Sequence, residues 1–541
     1  MSTLAPAPPA PLLQRLRTDP VWLATALAVA LGAAYLLTVP HVPDLAAQVA
    51  RADAARSDPG AIWWGGWYGG IVTPPYSLLT GPVMGWLGVP LVGALTLVAT
   101  AALVGALLRG HAHRPVLGAG LSTLALAADV LAGRVTFAVG LLVAVAALRL
   151  LQLRRGRWAF AVGLLAGLTS PLAAFFLGII AGGTMLADRS RRVAALGVAA
   201  AAALPVLAIT AVFPQQSDMP TSVRGIWVPL ATLVVLAALR LPPVVRATAA
   251  LCALAVAIAF VLPSPVGSNA QRLALIAAAP AAMAVTRLPK RWTAVLGVVL
   301  AVWPCVDVAT SFARATDPSA QEAYYAPLLS MLPSAGAVSG RLEVVEPQSH
   351  WSSAYLTARV PLARGWERQV DAAANPIFYT SALDAGDYHR WLLDNAVTEV
   401  ALPDAAIDFG SRTEAQLVGA GLPYLAPLGH AQHWWLYRVT DARPVADGPV
   451  SAVRMTSTDL TLTVRRPGTT TLRVRWSAQL ALDGPAGCLA EDPLAPAGPG
   501  GTWTTFTTVA PGTYVVHSGF HPLGGTSHCT TGWQQLMTTP G

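Results

Sequence analysis

Apolar runs of about twenty residues, repeated with only short arginine-bearing connectors until about residue 311, leave this chain few folds to adopt. The run "VWLATALAVALGAAYLLTV" matches the roughly 20 residues a helix needs to cross about 30 Å of hydrocarbon. Many similar runs follow it. The first therefore reads as a signal anchor rather than a cleaved signal peptide. Over 541 residues the chain is 54% hydrophobic and 11% charged, more apolar surface than a water-soluble core can enclose. The basic charge is almost all arginine, with Lys290 the sole lysine, a compositional bias without functional weight.

Orientation follows from the arginines. Basic connectors stand at Arg15/Arg17, Arg109/Arg114, Arg149 to Arg157, Arg189 to Arg192, Arg240/Arg246 and Arg287 to Arg291, and the positive-inside rule makes them cytoplasmic. Two crossings between each successive pair predict spans near 21–40, 87–108, 115–132, 135–151, 158–170, 171–187, 193–213, 225–240, 246–263, 271–286 and 292–311. That is about eleven, with the N-terminus inside and the C-terminus outside. Residues 158–187 are the branch point. They hold either two short helices broken at Pro171, tolerable where protein covers the freed backbone groups, or one long tilted span that inverts everything downstream.

This topology collects the unusual residues on the external face: the loop 41–86, "LAGRVTF", Thr169 and Ser170, "FPQQSDMPTSVRG" and "PSPVGSNAQR". Arg134 and Arg272 sit at external helix ends, where orientation does not require them. Asp129 lies in an otherwise apolar span, and an ionisable group at that depth costs on the order of 3 kcal/mol. One reading is a structural Asp129–Arg134 pair, or arginines snorkelling to lipid phosphates. The other is an anion-binding cavity open to the outside. In the loop 41–86, Asp44, Asp53 and Asp58 follow the first span. The segment from Leu45 to Arg56 reads as an amphipathic helix on the interface, with Trp63, Trp64, Trp67 and Tyr68 at headgroup depth.

Past residue 311 the composition changes. "AGDYHRWLLDNAVTEVALPD" reads as an amphipathic helix turning into a buried strand, so residues 315–442 predict a small extracytoplasmic α/β module. Residues 443–541 alternate with period two and are rich in threonine and valine, the pattern of a β-sandwich. The expected architecture is a cytoplasmic tail (1–20), a polytopic α-helical membrane domain (21–314), the α/β module and the C-terminal β-sandwich. Cys488 and Cys529 are the two cysteines of the exported region and are expected to form a disulfide.

There is no phosphate-binding glycine loop, no dinucleotide fingerprint, no HExxH and no CxxC. Nucleotide hydrolysis has no visible apparatus, and no nucleic-acid partner is indicated. Polar, charged and aromatic residues crowd residues 350–383. Within them Trp366, Glu367 and Arg368 suggest contact with a sugar or acceptor, while the same residue types also serve as ordinary interface anchors.

The layout resembles the GT-C superfamily of integral-membrane glycosyltransferases, which take sugar from a polyprenyl-phosphate carrier. The resemblance rests on Asp44, just beyond the first span where such enzymes place an acid, and on "WYGGIVTPPYSLLTGPVMGWLG". The segments "GRVTFAVGLLVAVAAL", "SPLAAFFLGIIA", "PSPVGSNAQRLALI" and "PLARGWERQ" also look like those of a group of actinobacterial membrane proteins. The chain departs from the better-known enzymes in lacking a paired-acid motif in the first loop and a WWD-type motif. The resemblance implies a polyprenyl-phosphate-linked sugar as donor and an envelope glycan, lipid or protein as acceptor. It makes Asp44 the catalytic carboxylate, although Asp44 also reads as a helix cap. Arg134 and Arg272 become the donor-phosphate partners, and Asp129, Asp53 and Asp58 are secondary candidates. A divalent metal is compatible with this chemistry, and no motif specifies one. From other classes come a transporter or flippase of a lipid-linked or anionic substrate, and a non-catalytic scaffold whose β-domain binds envelope polymer.

Overall fold

The computed structural model describes Gln14 and residues 18–60, 62–213, 218–219, 221–332, 340–380, 382–448, 450–492, 501–518 and 528–529. The Ala/Pro-rich start, Arg15, Arg17 and part of the loop "FPQQSDMPTSVRG" lie outside the described residues. The chain divides into two compact units: Met1–Pro40, Val89–Ile209 and Met219–Thr310 form one, and His41–Gly88, Thr210–Asp218 and Ser311–Gly541 the other.

The first, helical unit follows the apolar runs. Its helices are α1 (Pro20–Thr38), then α4 (Val89–Leu108), α5 (Pro115–Leu131), α6 (Val135–Gln152), α7 (Gly156–Thr169), α8 (Pro171–Ala187) and α9 (Arg192–Val212). They continue with α10 (Val223–Ala238), α11 (Pro243–Val261), α12 (Arg272–Val285) and α13 (Lys290–Ala315), the last running on past Thr310. The two intervening helices, α2 (Pro43–Ser57) and α3 (Thr80–Leu87), belong to the other unit.

Each expected span coincides with one helix, and proline opens α1, α5, α8 and α11, where its missing N–H costs nothing. Among the described residues, six helices are long and apolar enough to cross a membrane: α1, α4, α6, α9 with its preceding turn from Arg189, α11 and α13. The others are shorter. With 14 residues each, α7 and α12 reach only about 21 Å at 1.5 Å per residue. The branch point at residues 158–187 resolves into two helices. Ser170 is extended (φ −158°), ends α7, and caps α8 by accepting the Ala173 N–H at 3.4 Å.

The closest helix seams in this unit are made of small residues, beside a core that includes Phe137, Phe176 and Leu233. A Cβ on Gly140 would stand 2.4 Å from the Ser170 Cβ, and one on Gly183 would stand 2.2 Å from the Thr248 Oγ1. Backbones meet directly there, the arrangement expected where hydrocarbon is the solvent and side-chain burial drives nothing. Around the seams α1 packs on α4 and α5, α4 on α6, α5 on α12, α6 on α7 and α8, and α8 on α11.

The second unit is strand-rich. One sheet has the order β3–β4–β6–β5, from β3 (Arg341–Val344), β4 (Val397–Pro403), β5 (Leu425–Ala431) and β6 (Trp434–Val439). Its β3–β4 pair is parallel and the others are antiparallel. The helix Ala385–Asp394 precedes β4 as its pattern requires, burying Tyr388, Trp391 and Leu392 on the sheet.

Two antiparallel sheets follow. One has the order β10–β13–β8–β7, from β7 (Val450–Met455), β8 (Leu460–Val464), β10 (Leu480–Asp483) and β13 (Gly512–Ser518). The other is β11–β12–β9, from β9 (Gly468–Arg475), β11 (Gly487–Glu491) and β12 (Trp503–Thr508). Leu462, Val464, Leu472, Phe506, Tyr514 and Val516 join both sheets in one core, which is the layering of a sandwich. Cys488 in β11 is disulfide-bonded to Cys529.

The aromatic run of the loop 41–86 corrects an expectation. Trp63, Trp64, Trp67 and Tyr68 do not anchor the loop by facing lipid headgroups; all four are buried in protein. Trp63 and Trp64 form β1, paired with β2 (Ile71–Val72), and Trp63 belongs to the sandwich core. The Trp67 indole donates to Ser353 O and Thr357 Oγ1. Backbone bonds run from Leu362 N to Gly66 O at 2.9 Å and from Arg475 N to Gly69 O at 2.8 Å. A tryptophan flanked by glycines suits a wet interface or a tight core equally, and the partners that decide lie hundreds of residues downstream.

Candidate functional site

Asp44 enters the structure in the first turn of α2. The N-cap position is Val42 and Pro43 opens the helix. Asp44 is therefore no N-cap; it lies one residue further in, where the positive end of the helix favours a carboxylate. Asp44, Gln48 and Arg51 recur at intervals of four and three, which places them on one face. This face is not the wet side of an interfacial helix: Gln48 is 3% and Arg51 8% exposed.

Segments from the far end of the chain cover it. Arg51 pairs with Glu367, and its guanidinium lies 4.2 Å from the centre of the Tyr76 ring. The Gln48 Nε2 donates to the Tyr76 hydroxyl at 2.5 Å. The Trp366 indole N–H donates to Pro43 O at 2.9 Å, and the Trp351 indole to His41 O at 2.8 Å. Two indoles thus hold the backbone on either side of the turn where α2 begins. Tyr68 fixes the covering strand of chain, donating to Gly365 O at 2.7 Å and accepting from Glu367 N at 3.1 Å.

Behind this layer stands a charged scaffold. His350 stacks flat on Trp366, with ring centres 3.4 Å apart and planes 5° from parallel. Its two ring nitrogens face Glu346 at 3.2 Å and Asp408 at 3.4 Å. Burial alone would pull the imidazole pKa down, but the hydrogen bonds and charges of Asp408 and Glu346 outweigh it and raise it. Asp408 also takes both nitrogens of the Arg368 fork, at 2.9 Å each. Burial opposes its ionisation, yet His350 and Arg368 hold its carboxyl far below the usual range. Deeper still, Arg364 binds Asp371 at 2.7 Å and Glu414 at 3.2 Å, with Glu343 at 3.7 Å. Burial and the neighbouring Glu414 push the Glu343 carboxyl well up, against the opposing charge of Arg364.

The three residues singled out at 366–368 point three ways. Trp366 holds Pro43, Glu367 holds Arg51 and Arg368 holds Asp408. Asp53 pairs with Arg56 at 2.8 Å on the exposed side of α2, and Asp58 ends the helix and accepts the Gly60 N–H.

In the helical unit, Arg134 precedes α6 and lies 3.6 Å from Asp129 and 3.0 Å from Asp307. The Asp129–Arg134 pair therefore exists, enlarged by an acid from α13. Arg272 opens α12, with its guanidinium 5.9 Å from the centre of the Phe137 ring in the first turn of α6. Both arginines thus attend the start of one helix.

Sequence reasoning gave no role to Gln48, Arg51, Tyr76, Asp408 and Asp307, and it named His350 only as one of the polar and aromatic residues crowded at 350–383. The spacing of Asp44, Gln48 and Arg51 was visible, as was the lone acid Asp307 in the last apolar run; nothing local marked Asp408. Among the described residues no group of three or more His, Cys, Asp or Glu could hold a metal ion. No protein-family model matches the chain, and no curated protein matches it.

Proposed function

We propose that this protein is a membrane glycosyltransferase that moves a sugar from a polyprenyl-phosphate carrier to an envelope glycan, lipid or protein. The observation that supports this reading is the convergence on one helix start of Asp44, Gln48, Arg51 and Tyr76 with Trp366 and Glu367. An acid beside amide, phenol and indole groups is chemistry suited to a polyhydroxylated ligand. In the transfer, the sugar–phosphate C–O bond breaks and the phosphate leaves with the electron pair. The acceptor oxygen bonds to the sugar carbon, and its proton passes to the Asp44 carboxylate. Arg134 and Arg272 are the cations assigned to the donor phosphate in this reading. Arg134 is flanked by two carboxylates, so an incoming phosphate would meet their repulsion. Eleven crossings, with the N-terminus cytoplasmic and the strand-rich unit outside, belong to the same proposal.

A carrier or flippase is the second reading, favoured by the Asp129–Arg134–Asp307 group within apolar helices. One assay separates the two. Purified protein is given polyprenyl-phosphate sugar labelled in the sugar. Label released to an acceptor supports transfer, and label crossing the bilayer on an intact carrier supports the second reading. Asp44→Asn keeps the shape but cannot take a proton, so transfer should fall by about a hundred- to ten-thousand-fold, with Asp53→Asn near wild type. Full activity in Asp44→Asn would sink Asp44 as the base.

A further inference from the structure

We propose that Tyr76 contacts the ligand of this site directly, giving its O–H proton to an oxygen of a polyhydroxylated ligand held beside Asp44. The inference deepens the glycosyl-transfer reading and rests on it for the identity of the ligand.

The Tyr76 hydroxyl carries both a lone pair and a proton. Its oxygen is occupied as an acceptor, because the Gln48 Nε2 donates to it at 2.5 Å. A phenol both accepts and donates, so the same hydroxyl, part-buried beside Gln48, can give its O–H to a ligand. The ring cannot turn away easily, since the Arg51 guanidinium lies over its face and Glu367 holds that guanidinium. Burial first, then the charges of Glu367 and Asp44, push the phenol's pKa up against the opposing influence of Arg51 and Gln48. The group therefore stays protonated, and remains a donor, through the physiological range.

Asp44 stands one helical turn before Gln48 on the same face of α2, and Gln48 is the residue that bonds Tyr76. Neighbouring groups then offer opposite halves of a hydrogen-bond pair: a carboxylate that accepts and a phenol that donates. A single anion would satisfy Tyr76 and be repelled by Asp44. Adjacent hydroxyls on a sugar satisfy both, one giving its proton to Asp44 and the next accepting from Tyr76. This selects a polyol over a phosphate at this position.

The test uses the full chain in lipid nanodiscs, with linear glucose and mannose hexasaccharides as probes and direct titration as the readout. Tyr76→Phe removes the O–H and keeps the ring under Arg51, so the fold is retained. Gln48→Glu keeps the Tyr76 hydroxyl but gives it a carboxylate that captures its proton. Each variant should weaken the binding of a probe that wild type binds by about tenfold, the scale of one hydrogen bond to a partly buried group. That result supports Tyr76 even if the labelled-donor assay finds no transfer, a failure that would count against the enzyme reading alone. Unchanged affinity in Tyr76→Phe overturns the inference while leaving Asp44 to its own test. Absence of binding to every hexasaccharide by wild type also overturns it.

Discussion

The helical unit and the strand-rich unit come from one chain, yet they bury different mixtures of side chain. In the helical unit glycine and alanine line the closest seams, beside a core that includes Phe137, Phe176 and Leu233, while large apolar residues such as Val193 and Leu207 are exposed. In the strand-rich unit the largest buried side chains include Trp64, Trp67, Trp434 and Arg341, and Arg364 sits among three carboxylates. The difference teaches what each unit has for solvent. Water rewards burial of large apolar groups. Hydrocarbon offers no such reward, so only close backbone approach and dispersion hold helices together. A dense ionic network in turn needs a core whose every polar partner is supplied from within.

The most severe way to break this contrast is to take the cation from the strand-rich core. Arg364→Met leaves Glu343, Asp371 and Glu414 buried without their guanidinium, a change expected to cost about 3–5 kcal/mol. Amide hydrogen exchange in β4 should then speed up by at least about a hundredfold. Unchanged protection there would show that the carboxylates carry protons and need no cation.

The helical unit should answer to volume instead. Gly183→Ala sets a methyl against the Thr248 Oγ1 and backbone N, and should cost about 1–3 kcal/mol by overpacking. Trp158→Ala, on the exposed side of α7, should stay within about 0.5 kcal/mol. Thermal unfolding in detergent compares the two. A larger loss at Trp158 than at Gly183 would overturn the small-residue account of the seams.

The mildest test is protonation of the scaffold behind α2. The pKa of His350 is raised above its unfolded value of about 6.5. Its contribution is therefore complete below about 6.5 and is lost as pH rises through the folded value. Asp408 is depressed, so its contribution is complete above about 3.9 and is lost as pH falls towards its folded value. His350→Gln keeps a hydrogen bond and loses the charge. It should cost about 1 kcal/mol near pH 6 and progressively less towards pH 9. A difference from wild type that widens with rising pH would contradict the doubly paired imidazolium.

Legibility in the sequence differed between the units for the same reason. The ends of α1 and of α4 to α13 were visible because proline, arginine and run length are local signals. The helix Ala385–Asp394 and strand β4 were visible through a change of period. Cys488 and Cys529 were paired by elimination, and they are bonded. The burial of Trp63, Trp64, Trp67 and Tyr68 was not visible. An indole is amphipathic, and only its neighbours decide whether it meets lipid or protein. Nor could Arg51 be matched to Glu367, since an ion pair leaves no trace in the spacing of partners so far apart.

By itself, then, the sequence determined where the apolar helices run and where the chain turns strand-rich, while it took eleven helices for spans where six of the described ones are long and apolar enough. Those properties depend on the periodicity and solvation of a few neighbouring residues. Only the tertiary structure decided that the aromatic run is a core, that Arg134 answers to Asp307 as well as Asp129, and that Asp44 starts a helix held by Trp366. A side chain's charge state and role are set by the group it faces, and in this protein that group comes from a distant part of the chain.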